Sequence, residues 1–148
     1  MESKTELSLI TYGLGNELKQ ELINDIINCN FVKPKGGLWA SPVNSSHGWK
    51  KWCDEEDFGD TLSSFTFRYI GSVLKIDSLR DLEQIPWTRD EWIQALYPDF
   101  ELMVQLGIDA MWLTVEGENV TRHSGPKTLY GWDCESVLIM NPSGIMQK

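Results

Sequence analysis

The segment "ELSLITY", Glu6 to Tyr12, alternates polar and apolar side chains. A period of two predicts a strand, and Gly13 and Gly15 end it. Further on, Leu18, Leu22, Ile23, Ile26 and Ile27 recur at helical spacing, which predicts a helix capped by Asn16 and ending near Asn28 to Asn30. A turn on Pro34, Gly36 and Gly37 leads into a short strand, "LWAS", closed by Pro42. Ser45 or Ser46 then stands where a cap is needed for the helix "GWKKWCDEE", which puts Trp49, Trp52 and Cys53 on one face. In "SSFTFRYIGSVLKID", Phe65, Phe67 and Tyr69 alternate with Thr66 and Arg68, predicting two strands or one bent at Gly71.

One helical turn is expected over Ser78 to Leu82. Thr88 caps a predicted helix "RDEWIQAL", with Asp90 and Glu91 in its first turn. Pro98 opens another, "DFELMVQLG", whose Phe100, Met103 and Val104 form an apolar face and whose Gly107 is the stop. "IDAMWLTV" (Ile108 to Val115) reads as a strand, the polar segment Glu116 to Lys127 as a loop, and "SVLIMN" as the last strand. Helices and strands do not alternate regularly, so the fold class is α+β rather than doubly wound α/β.

The 148 residues suit one domain spanning 1–148, and 41% apolar with 24% charged residues is a globular composition. No run approaches the roughly 20 apolar residues of a spanning helix, so no membrane partner is expected. With 22 acids against 13 bases the net charge is -9, which argues against nucleic-acid binding. Lys33, Lys35, Lys50 and Lys51 then read as a solvated loop face. The acidity also fits a protein that occupies a basic site on a partner. The N-terminus shows no secretory pattern, so a cytoplasmic protein is expected. Cys29, Cys53 and Cys134 read as reduced thiols, and no metal site is expected, because no Cys-x-x-Cys pair occurs and there are only two histidines.

The common catalytic signatures are missing. There is no G-x-S-x-G, P-loop or H-E-x-x-H, and "GLGNE" lacks the third glycine of a dinucleotide fingerprint. A Cys53–His47 nucleophile pair is open, although cysteines are more often inert core groups. Three pieces remain: "ITYG" at the end of the first strand, "GGLWAS", and the acids Asp133 and Glu135 ahead of "SVLIMN".

Their order resembles the ADP-ribosyltransferase superfamily, whose small split β-sheet core with flanking helices binds NAD in a cleft. The resemblance covers most of the chain in short motifs. Thr11, Tyr12 and Gly13 fall where the first motif ends, Trp39 and Ser41 at the aromatic-x-Ser motif, and Glu135 at the catalytic glutamate. Asp133 stands two residues ahead, where several branches carry Glu or Gln. "FELMVQLGIDAMWLT" is similar to the helix and strand that precede the closing strand, and Asn141, Pro142 and Ile145 to its ending. The first motif usually carries His or Arg, and this strand offers neither.

The resemblance implies a mono-ADP-ribosyltransferase that cleaves NAD and passes ADP-ribose to an acceptor, a protein among the candidates. Breaking the nicotinamide-ribose bond develops positive charge on the sugar, which the Glu135 carboxylate would stabilise. Backbone groups beside Gly13 would hold the nicotinamide amide, Trp39 or Trp49 would stack on a planar ring, and Ser41 would orient Glu135. Asp133 would contact the acceptor or act as a base. Small size and acidity suit a phage or mobile-element factor.

Plainer roles stand beside these. Glu135 is equally a solvated acid at a strand start, Asp133 a turn residue bonding its own backbone, and Trp39, Trp49, Trp52 and Trp112 core residues. Seven tryptophans exceed what a small core requires, which places one or two in a cleft. Arg122 and Lys127 either meet a pyrophosphate or stay in water. A function of another class suits the same fold: a non-catalytic acidic binding protein or inhibitor, for example a phage anti-defence factor.

Overall fold

The computed structural model describes residues 4–29, 31–57, 61–89, 92 and 95–146. Strand β1 (Thr5–Tyr12) forms where the alternation predicts it, and Gly13 and Gly15 just after it are both at positive φ. β2 (Leu38–Pro42) follows the Pro34–Gly37 turn. The aromatic segment forms two strands, β3 (Ser64–Gly71) and β4 (Val73–Ile76), with Phe65, Phe67 and Tyr69 buried and Thr66 and Arg68 exposed. The later strands are β5 (Trp87–Arg89), β6 (Leu96–Pro98), β7 (Ala110–Leu113), β8 (Ser136–Ile139) and β9 (Ile145–Met146).

Seven strands make one mixed sheet in the order β4-β7-β8-β2-β1-β3-β9, and β5 and β6 form a separate hairpin. Among the described strands only β4 and β7 run parallel; the crossover between them carries the hairpin and helix α2 (Phe100–Gln105). With α1 (Trp49–Glu56) and α3 (Val115–Thr121), the architecture is α+β. Both faces of the sheet are covered around β8, whereas β1 and β3 keep one face toward solvent. One core joins Ile76, Met111, Leu113 and Leu138 to Phe100, Met103, Leu129 and Trp132; the other holds Leu9, Phe67, Tyr69, Val137 and Ile139. Each fully buried Leu, Ile or Phe contributes about 1.5–3 kcal/mol. β8 buries Val137, Leu138 and Ile139 completely, so the backbone just ahead of it is held from both sides.

Several expectations are corrected. The helix expected after Asn16 is a single 3-10 turn, Gln20–Leu22, and the chain then runs extended, with Ile27 bridging to Lys35. A helix would have put its apolar residues on one face. Here Leu18 and Ile23 pack on one core, Ile26 on the other, and Ile27 is exposed. Asn16 accepts from the Ser64 N–H instead of capping. The turn expected at Ser78 begins two residues later, as the 3-10 helix Arg80–Gln84. Thr88 lies in β5 opposite Tyr97, and Arg89 opposite Leu96, so the ends of "RDEWIQAL" are hairpin strands. Asp90 and Glu91 lie outside the described residues.

The loop expected over Glu116 to Lys127 begins as α3. Thr114 caps it by accepting from the Gly117 N–H at 3.0 Å. A Cβ at Gly117 would come within 2.0 Å of the Ile76 carbonyl oxygen, so close packing on β4 demands glycine in this polar stretch. No helix among the described residues is long and apolar enough to cross a membrane.

Candidate functional site

The ladder between β1 and β2 is short, pairing Leu9 with Pro42 and Ile10 with Ser41. β2 pairs with β8 through Leu38, Trp39 and Ala40. Beyond Ile10 the β1–β2 contact passes to a side chain, Thr11 Oγ1 donating to the Trp39 carbonyl at 2.9 Å. A cavity of about 330 Å³ opens there. β1 gives it Thr11 and Tyr12, β2 gives Trp39 and Ser41, α1 gives Trp49, and the lead-in to β8 gives Trp132, Asp133 and Cys134. Trp39 meets Trp132 edge to face with centroids 4.8 Å apart, and Trp132 is fixed by donating to the Val32 carbonyl at 2.7 Å. Trp49 stacks on Trp52 at 5.2 Å.

A second, more open cavity of about 530 Å³ shares Tyr12, Ser41 and Trp49 and continues over Ser45, Lys50, Lys51, Asp54 and Glu55. Its charges are paired along α1, Lys50 with Asp54 at 2.8 Å and Lys51 with Glu55 at 3.7 Å. Neither Ser45 nor Ser46 caps α1. Its N-cap is Gly48, and the Trp49 N–H donates to Ser41 Oγ at 3.0 Å from the neighbouring strand.

Glu135 is 7% exposed and lines neither cavity. Ser45 Oγ donates to one carboxylate oxygen at 2.5 Å and Trp112 Nε1 to the other at 2.8 Å. Its backbone is held as well, its N–H donating to the His47 carbonyl at 2.8 Å and its carbonyl accepting from Ser41 Oγ at 2.9 Å. Ser41 thus steers the main chain of Glu135, and Ser45 holds its carboxylate. Among the described residues no cation forms a salt bridge with Glu135; Lys75 lies over the Trp112 ring, 4.7 Å from its centroid. This is a buried carboxylate whose lost water is replaced by neutral donors.

Asp133 differs. It is half-buried in the 330 Å³ cavity, with Lys33 Nζ 3.9 Å away. Gly13 donates to the Ser63 carbonyl at 3.0 Å and lines neither cavity. The site therefore gathers Thr11, Tyr12, Trp39, Ser41, Trp49 and Asp133, places Glu135 behind Ser45, and leaves Gly13 outside. Arg122 pairs with Glu118 at 2.7 Å and Lys127 with Glu83 at 3.2 Å, both away from the two cavities.

Burial pushes the Cys53 thiol upward, the reverse of what a nucleophile needs. Burial also raises Cys134, to about 11. Among the described residues no group of His, Cys, Asp and Glu is arranged to hold a metal. Sequence reasoning missed Ser45, Trp112, Trp132 and Lys33 as site residues. Trp132 was the one within reach, one residue from Asp133 in an aromatic pair with Tyr130; Ser45 and Trp112 meet Glu135 only through the sheet. No protein family, no curated protein and no solved structure matches this chain.

Proposed function

We propose that the protein is a small NAD-cleaving ADP-ribosyltransferase with an ADP-ribosyltransferase-like split-sheet core, its cleft lying where β1 and β2 part. NAD is the substrate; its planar ring packs among Tyr12, Trp39 and Trp49. Glu135 stabilises the positive charge that develops on the ribose as nicotinamide leaves, and ADP-ribose passes to a protein acceptor in the cytoplasm. One observation carries this reading: β1, β2, α1 and the lead-in to β8 converge on one aromatic cavity, and Glu135, next in sequence to Cys134 of its lining, holds its carboxylate against Ser45 of the adjoining cavity. Ser45 and Trp112 keep the carboxylate in one orientation, which is the preorganisation such a reaction requires. A ribose hydroxyl would take the place of the Ser45 hydroxyl as substrate enters from the adjoining cavity.

Nicotinamide release from NAD, measured for wild type and Glu135→Gln alongside NAD binding and thermal melting, tests this. The expected result is release by wild type only, with the variant folded and still binding NAD. A wild-type protein that neither binds nor cleaves NAD removes the proposal.

A second reading is favoured by a specific observation. Both Glu135 carboxylate oxygens already take protein donors, and the residue is 7% exposed. In that reading Glu135 is structural and the chain is a non-catalytic acidic inhibitor of a partner. Partner inhibition that survives Glu135→Gln, without any nicotinamide release, would establish it.

A further inference from the structure

Among the described residues, the 330 Å³ cavity has one cation in its lining, Lys33, from the loop ahead of β2. Its Nζ lies 5.8 Å from the centroid of the Trp39 ring and 3.9 Å from the Asp133 carboxylate, the one acid of that lining. A separation of 3.9 Å is longer than a hydrogen bond, and at 38% and 30% exposure such a pair holds weakly. The ammonium keeps its donors for a better acceptor. Lys50 and Lys51 of the adjoining cavity are instead tied to acids on their own helix.

An aromatic cavity with a loosely paired cation over its Trp39 ring matches a nucleotide: the base packs among the aromatic side chains of the lining and the phosphate meets the ammonium. We propose that Lys33 is the phosphate anchor of a nucleotide site in this cavity and that Asp133 is its built-in competitor, released from Lys33 when phosphate binds. This rests on reading the cavity as a nucleotide site.

Tryptophan fluorescence titrations of the full chain with ADP-ribose, and with adenosine as the uncharged counterpart, test the anchor. Lys33→Gln is expected to weaken ADP-ribose about tenfold and leave adenosine unchanged, with Lys33→Arg retaining most of the affinity. Asp133→Asn is expected to tighten ADP-ribose several-fold, a gain that shrinks when Lys33→Gln is added. Equal effects of Lys33→Gln on both ligands, or no effect on ADP-ribose, overturn the anchor. ADP-ribose binding that depends on Lys33 without nicotinamide release from NAD would keep the anchor and sink the transferase; release indifferent to Lys33→Gln would do the opposite.

Discussion

Asp133 and Glu135 stand two residues apart and occupy opposite kinds of surroundings. Asp133 keeps part of its hydration and a loose partner, Lys33 at 3.9 Å. Glu135 has given up nearly all of its water and holds two neutral donors at 2.5 and 2.8 Å. Charge at Asp133 is supported by solvent, which can rearrange; charge at Glu135 is supported by Ser45 and Trp112, which cannot do so cheaply. The difference teaches where adaptability and preorganisation lie in this site: the cavity with Asp133 can exchange partners, and the compartment with Glu135 is set before any ligand arrives.

The largest effect is expected from removing the fixed acid. Glu135→Ala takes the acceptor from the Ser45 hydroxyl and the Trp112 N–H and leaves a gap where the buried side chain stood, a cost of about 2–4 kcal/mol. Thermal melting should fall by roughly 5–10 °C. Asp133→Ala should stay within about 0.5 kcal/mol of wild type, because a half-exposed, long-range pair contributes little. Equal losses from the two substitutions would erase the contrast between the acids.

A smaller effect sharpens it. Trp112→Phe keeps the ring under Lys75 but removes the donor to Glu135, which should cost about 1–2 kcal/mol. Under the transferase reading it should also lower kcat for nicotinamide release with little change in KM, since it misplaces the carboxylate rather than the cavity. A change confined to KM would show that Trp112 acts on ring binding and not on Glu135.

Some of this was legible in the sequence and some was not, for physical reasons. The strands with one wet face, β1 and β3, declare themselves by alternation, as in Phe65, Phe67 and Tyr69. The stretch from Leu18 to Ile27 misleads because its apolar residues serve two cores on either side of a sheet, a division no single-face pattern can express. The segment from Glu116 misleads because it is polar, whereas what makes its start a helix is the Thr114 cap and the close approach of Gly117 to Ile76. At the site, the residues that arrive along adjacent strands, Trp39, Ser41 and the acids before β8, fall at readable positions. Trp112 does not, since its tie to Glu135 exists only once β7 lies beside β8, through Trp112 opposite Val137. Lys33 reads as a solvated charge until the loop that carries it folds against Trp39.

The smallest effect concerns the residue between the two acids. Cys134 is 1% exposed, and burial raises its thiol from an ordinary 9.0 to about 11. A thiol that ionises later in the folded state than in the unfolded state binds more protons when folded. Its contribution is complete below the ordinary thiol value and is lost as pH rises through about 11. Tyr69, also raised by burial, acts in the same direction at higher pH. The melting temperature should therefore fall across this alkaline window from Cys134 alone. At neutral pH iodoacetamide should label exposed Cys29 and spare Cys134 until the protein unfolds. Labelling of Cys134 in the native protein would mean that the backbone joining the acids opens to solvent. Glu135 would then be as adaptable as Asp133, and the division between a fixed and an adjustable half of the site would fail.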